Sequence, residues 1–276
     1  MIKIITDGAS DFTVEEAREL NIKVIPIKVY FDGEEFTPGV NLTDSQFYTK
    51  LKDSKKLPST SLINEETYKE AIEEELNCGN QVFVLTLSSK LSGSFNALQR
   101  AVAQLNSPDV AICDTLGVTI TQNIIVREAV KLANAGATLS ELKEQIEAIK
   151  GKAKLFAMID DVSNLIKGGR LSMTAGLAAT VLKIKPVVTL DNGLLKSIGK
   201  PVGVRHAMKS VISYIGNIDK NRAMCLGHSD CLERLEIFAP AVEQKTGLSG
   251  LPVYGVGAVV GTHVGRGCVG IAYFEK

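Results

Sequence analysis

The sequence predicts an α/β protein of two domains: an N-terminal parallel-sheet α/β/α unit over residues 1–152 and a C-terminal α+β unit with a mixed sheet over residues 153–276. Three observations predict it. Strand-length apolar runs alternate with capped helical segments through the first half. Residues 81–87 (Gln-Val-Phe-Val-Leu-Thr-Leu) form a continuous apolar run, as expected of a strand covered on both faces by helices. Beyond residue 151 the texture changes to strands joined by a hairpin signal, Asp191-Asn192-Gly193.

The elements follow in order. Residues 2–6 read as a buried strand. Thr13-x-x-Glu16 is a capping box opening a helix through Leu20. Residues 22–31 are β-rich. Thr43-x-x-Gln46 caps the next helix, and Asn64 caps one running to Leu76. After the strand at 81–87, Phe95, Leu98, Val102 and Leu105 recur at helical spacing. Residues 110–113 are a short strand, and two helices follow, the second opened by Thr138-x-x-Glu141. In the second half, strands are predicted at 154–159, 184–190, 194–198, 223–227, 253–260 and 268–274. Helices are predicted around 207–218 and from the strand at 223–227 to about Gln244. Ligands of such folds collect beyond the carboxyl ends of strands or between domains.

Composition narrows the function classes. The chain has 276 residues, 45% of them hydrophobic and 22% charged, with a formal net charge of zero. That balance gives no electrostatic footprint for nucleic acid, and no basic run suggests a membrane surface. Aromatic residues are 5% with no Trp, which disfavours the stacking platforms of nucleic-acid and carbohydrate sites and leaves an aliphatic ligand open. Five widely spaced cysteines without a Cys-x-x-Cys argue against a disulfide framework or zinc site and for a reducing compartment. The apolar run before Asp7 is too short for a secretory signal, and no run is long enough to span a bilayer. A cytoplasmic protein without stable membrane insertion is expected.

Four segments can carry chemistry. Pro58-Ser59-Thr60-Ser61-Leu62 puts three hydroxyls on a loop before the Asn64 helix, where they either cap it or hold an anion. Ser88-Ser89-Lys90-Leu91-Ser92-Gly93-Ser94-Phe95 follows the strand at 81–87. Its Ser92 and Ser94 can cap, coordinate or attack, and Gly93 lets a ligand approach the backbone. Residues 255–267 are a glycine-dense turn between two predicted strands, carrying His263. Their glycine spacing and the short remaining chain rule out a dinucleotide loop. Lys167-Gly168-Gly169-Arg170-Leu171-Ser172 suits a tight turn that either aims the Arg170 guanidinium at a ligand or salt-bridges it across the domain junction. There is no Gly-x-Ser-x-Gly elbow and no P-loop, and His206, His228 and His263 lack metal-ligand spacing. A serine acyl hydrolase or transferase using Ser92 or Ser94 with His263 stands as the enzymatic alternative.

Together these segments resemble the DegV family, which includes the fatty-acid-binding subunits of bacterial fatty acid kinases. The resemblance covers the whole chain. It runs from Ile4-Ile5-Thr6-Asp7 through Thr60-Ser61, Leu91-Ser92-Gly93-Ser94, Lys167-Gly168-Gly169-Arg170-Leu171-Ser172 and Ile184-Lys185-Pro186 to Gly261-Thr262-His263-Val264-Gly265. It implies a bacterial, non-catalytic acyl carrier that needs no cofactor. A long-chain fatty acid would lie in a tunnel at the domain junction and be presented to a separate kinase subunit. By the same resemblance Thr60, Ser61, Ser92, Gly93 and His263 would hold the carboxylate, with Arg170 and Ser94 as neighbours. The chain departs from the family pattern at Gly8, where a Ser is usual, and at Arg266, where a Pro is common. Near Pro201-Val202 kinase-partnered members carry an Arg, whereas here the nearest is Arg205. Those departures put the kinase partnership in question and leave open a regulatory protein that has lost it.

Overall fold

The computed structural model describes residues 1–54, 56–171 and 183–276; Ser172 of the 167–172 motif lies outside the described residues. β1 (Ile2–Asp7), β2 (Ile22–Ile25), β6 (Gln81–Thr86) and β7 (Val110–Asp114) form an all-parallel sheet in the order β2-β1-β6-β7. Its connecting helices are α1 (Val14–Glu19), α3 (Glu65–Asn77), α4 (Ser94–Leu105), α5 (Ile120–Asn134) and α6 (Leu139–Lys150), with α2 (Asp44–Asp53) in an excursion after β2. All three Thr-led capping boxes form as the sequence predicts, at Thr13, Thr43 and Thr138.

A second, mixed sheet is built from β8 (Ala153–Met158), β9 (Val187–Asp191), β10 (Leu194–Gly199), β11 (Cys225–His228), β12 (Val253–Gly255) and β13 (Val269–Phe274). Its order is β10-β9-β8-β13-β11-β12, antiparallel throughout except for the β11–β12 pair. The predicted hairpin turn is present: Asn192 and Gly193 both take positive φ, 48° and 81°, the two-residue geometry that suits a twisted hairpin. α8 (Val204–Ser213) and α9 (Leu232–Thr246) cover one face, burying Met208, Val211, Leu235 and Phe238 against Met158, Ile271 and Tyr273. The α/β class and the mixed second sheet therefore match the expectation.

α5 is the element the two sheets share. Ile124, Ile125, Val126, Ala129 and Val130 are buried, and one apolar cluster joins them to Ile4, Phe83 and Leu85 of the first sheet and to Leu155, Cys225, Ala272 and Phe274 of the second. Glu128, buried on the same helix, accepts from Arg222 Nη1 at 3.2 Å and from the Ala223 N–H at 2.8 Å.

Several local expectations are corrected. Pro26 divides the predicted β-rich run 22–31, because it has no N–H for a ladder. Only Ile22–Ile25 joins the parallel sheet, while β3 (Val29–Phe31) pairs with β4 (Glu34–Phe36) and β5 (Ser59–Thr60) in a separate three-stranded sheet. Thr60 thus stands on a short strand, not a loop. A helix α7 (Ser163–Lys167), not anticipated, precedes the Gly168-Gly169 turn. The predicted strand at 253–260 ends at Gly255, and α10 (Ala258–Val264) follows, so His263 is helical rather than in a turn between strands. Two adjacent valines favour a strand by propensity, but tertiary packing prevails. The α10 N-terminus gives its Gly257 N–H to Asp11 Oδ1 at 3.0 Å and its Ala258 N–H to Asp44. Gly261 lies so close to α2 that a Cβ there would stand 2.6 Å from Phe47 and 2.8 Å from the Tyr48 hydroxyl.

Candidate ligand-binding site

A cavity lies between the carboxyl ends of β1 and β6 and the inner face of the second sheet, enclosing about 1220 Å³ of atom-free space including its open mouth. Its wall is apolar. Val188, Ala157, Gly270 and Gly227 sit directly opposite one another on β9, β8, β13 and β11, and all four line the cavity. Opposed residues share a sheet face, so this row of small side chains forms a low floor across four strands. Leu155 and Ile159 flank the row, and Leu87, Val118, Val256, Val259 and Val260 close the other side. Gly270 also permits the tight β8–β13 approach, since a Cβ there would stand 2.7 Å from the Ala157 Cβ and 2.9 Å from the Phe156 carbonyl oxygen.

One end of the cavity is polar, and four separate segments build it. Thr60 and Ser61 come from β5 and the residue after it, Ser92 and Gly93 from the turn before α4, Arg170 from the turn after α7, and His263 from α10. Thr60 Oγ1 and His263 Nε2 are 3.2 Å apart. Ser61 Oγ accepts the Lys28 N–H at 3.2 Å, which leaves its own proton to donate elsewhere. Ser92 Oγ lies 2.9 Å from Ser94 Oγ and accepts the Ser94 N–H at 3.2 Å.

Helix α3 is capped by Asn64, whose Oδ1 accepts the Thr67 N–H at 2.8 Å, so Thr60 and Ser61 are not its caps. At α4 the N-cap is Gly93 with no side-chain cap, and Ser92 satisfies the first free N–H from just outside the helix. Arg170 is not a junction salt bridge: its Nε donates to the Leu91 carbonyl at 3.1 Å and its Nη1 to the Gly168 carbonyl, with no carboxylate partner among the described residues. Ser94 is fully buried behind Ser92 and does not line the cavity.

The electrostatics favour an anion. No Asp or Glu lines the cavity among the described residues, and Arg170 is its one guanidinium. Burial, aided by the Arg170 charge, lowers the His263 pKa to about 4, so the imidazole is neutral at pH 7. Its Nδ1 is hemmed in by Gly168, where a Cβ would come within 3.2 Å. No Ser–His hydrogen bond is formed and no carboxylate bonds His263 among the described residues, so the parts of a hydrolytic triad are not joined.

Two carboxyls hold the frame around this end. Asp7 Oδ2 accepts the Leu87 N–H at 2.7 Å, while Oδ1 accepts from Ala9 N at 3.1 Å and Gln122 Nε2 at 3.1 Å, tying the ends of β1, β6 and α5 together. Burial raises its pKa to about 6 against those three donors. Asp11 accepts from Thr119 Oγ1 and from Gly257 N; burial raises it to about 8, the two donors lower it, and the charges of Asp44 and Asp7 raise it further. Asp11 carries no local signal in the sequence, because its partners lie 108 and 246 residues away.

Comparison with known proteins agrees with this architecture. A family model described as "Uncharacterised protein, DegV family" matches residues 1–276. A DegV domain-containing protein of Listeria innocua is 30% identical over 279 residues, covering 99% of this chain and 98% of its own. Among solved structures, DegV of Bacillus subtilis, described as a fatty acid binding protein, superposes with a TM-score of 0.85 at 25% identity, covering 100% of this chain and 99% of that one. A stearic-acid-binding protein from Eubacterium ventriosum superposes with a TM-score of 0.87 at 24% identity, with 100% and 99% coverage. By its motifs, its two sheets and a family match along its entire length, the chain belongs to the DegV family.

Proposed function

We propose that this protein binds one long-chain fatty acid without altering it, the tail in the apolar cavity and the carboxylate at the Thr60–Ser92–Arg170–His263 end. The observation that carries the reading is an apolar cavity whose polar end holds, among the described residues, an arginine without an acidic partner, together with the Ser61 hydroxyl, whose proton is left to donate. That is a site for one negative charge on a long apolar body. The solved relatives described as fatty-acid-binding support the same ligand class. Residues 1–152 and 153–276 act as two units, with the acid between them.

The energetics are favourable. Each buried methylene contributes about 0.8 kcal/mol, so roughly fourteen contribute on the order of 11 kcal/mol before association costs. A buried carboxylate is costly unless hydrogen-bonded. Donors to a charged acceptor are worth roughly 1.5–3 kcal/mol each, so two or three hydroxyls with Arg170 offset that cost. The tail supplies affinity and the polar end fixes orientation.

The acid is presented to a separate kinase subunit, which returns an acyl phosphate. Val202 is exposed, in the region of Pro201-Val202 where the family resemblance implies an Arg in kinase-partnered members, and this makes the regulatory alternative specific enough to test. Denaturing extraction of protein purified from bacteria, followed by mass spectrometry, should return close to one fatty acid per chain. Lipid-free protein from such cells would refute the binding reading. Failure of any fatty acid kinase to phosphorylate the bound acid would leave binding in place and remove the carrier role.

A further inference from the structure

The second sheet turns two successive rows of residues toward the cavity and α5. Val188, Ala157, Gly270 and Gly227 form the cavity floor. Two residues along the strands, Leu155, Ala272 and Cys225 sit opposite one another on β8, β13 and β11 and are buried in one cluster with Ile120 and Ile124 of α5. The polar end stands at the β10–β9 side of the sheet. Leu171, next to Arg170, bridges to Leu195 of β10, and Ser88, in the turn that carries Ser92, donates from Oγ to the Gly193 carbonyl at 2.8 Å. From there the floor leads away across β9, β8, β13 and β11, three strand spacings of about 4.8 Å each. At its far end Ile120, the first residue of α5, is seated on Gly227: a Cβ there would stand 2.9 Å from Ile120 Cγ2 and 3.0 Å from Cδ1.

We propose that Ile120, seated on Gly227, is the stop that limits acyl-chain length: the tail of the bound acid ends against it, and longer acids are selected against. The inference rests on the fatty-acid reading and deepens it by naming what chooses among acids. Ile120 is buried and lines the cavity. Its backbone is held in place, because the preceding Thr119 donates its N–H to the Ala9 carbonyl at 2.7 Å and its hydroxyl to Asp11. The bare Gly227 lets the side chain close fully onto the sheet. Behind it lie Ile124 and Cys225, so a shorter side chain would extend the cavity into hydrocarbon and expose no unpaired polar group of theirs. Packed interiors yield little. Each methylene short of the stop therefore gains burial, and each one beyond it must displace Ile120 or leave part of the ligand outside.

The test uses the full chain freed of lipid, its Ile120→Ala variant, and straight-chain saturated acids from dodecanoic to eicosanoic, one carbon at a time. Wild-type affinity should rise about fourfold per added carbon, the worth of one buried methylene, and then turn over at the stop. In Ile120→Ala the turning point should move to acids longer by about two to three carbons, the length of hydrocarbon removed from the side chain. Should that variant fail to fold, Ile120→Val carries the same comparison with a shift of about one carbon expected. A turning point that stays where it was, or a loss of equal size at every length, would overturn the assignment, since a merely loosened fold weakens all acids alike. A wild-type chain that takes up none of the acids overturns the binding reading and this assignment with it. A wild type that binds, beside a folded variant with the same length preference, overturns the assignment alone.

Discussion

Thr60 Oγ1 and His263 Nε2 meet at 3.2 Å although 203 residues of chain separate them. The contact joins a two-residue edge strand to a seven-residue helix, and neither element is stable alone. The polar end of the cavity is therefore a product of tertiary packing, and its chemistry responds to changes in any of the four segments that meet there.

Ser92→Ala should weaken fatty-acid binding about tenfold or more, in line with a donor to a charged acceptor, and leave the fold intact. Titration calorimetry with circular dichroism checks both. Wild-type affinity in that variant would remove Ser92 from the site.

Arg170→Gln should weaken binding of the acid by roughly one to two orders of magnitude and leave the primary alcohol nearly unaffected, because the loss is one of charge. Competition between the two ligands measures it directly. Equal losses for both would assign Arg170 to the wall rather than to the carboxylate.

His263 should stay neutral in the lipid-free protein until the pH approaches about 4, and a carboxylate placed beside it should move the midpoint upward. Nitrogen-resolved NMR of the imidazole follows both titrations. Between about 4 and the ordinary histidine value of 6.5 the unfolded chain holds this proton and the folded one does not, so this contribution to stability falls as the pH drops through that window. A lipid-free midpoint near 6.5 would contradict the enclosed site.

Asp11 acts with the opposite sign. Its folded pKa of about 8 exceeds the ordinary 3.8, so its contribution is complete below that ordinary value and is lost as the pH rises through about 8. Asp11→Asn keeps an acceptor for Gly257 and a group to pair with Thr119 without the charge. The melting temperature of the variant relative to wild type should therefore be higher at pH 9 than at pH 5. A difference independent of pH would show that Asp11 ionises freely.

Gly270→Ala should lower stability by about 1–3 kcal/mol, the usual cost of overpacking, since its new methyl meets Ala157 and the Phe156 carbonyl. Denaturant unfolding reads the change, and an unaltered midpoint would mean that β8 and β13 part easily.

The sequence carried the periodic elements well because their signals are local. Residues 81–87 proclaim a doubly covered strand, and each Thr-x-x-Glu or Gln pair satisfies its own helix start within four residues. α10 was illegible for the converse reason: its N-terminus is satisfied by Asp11 and Asp44, more than two hundred residues upstream, while Val259-Val260 locally favours a strand. Ser61, Ser92 and His263 could be singled out by residue type and turn context.

The sharing of α5 between the two sheets has a bearing on how the molecule comes into being. Its far side, with Ile120 against Gly227 of β11, is sheltered by strands that all lie later in the sequence. During synthesis the first sheet can assemble while that helix still offers bare hydrocarbon to the surroundings. Nascent protein halted between residues 135 and 152 should accordingly be sticky and chaperone-bound, and should become soluble only once the later strands have emerged to cover it.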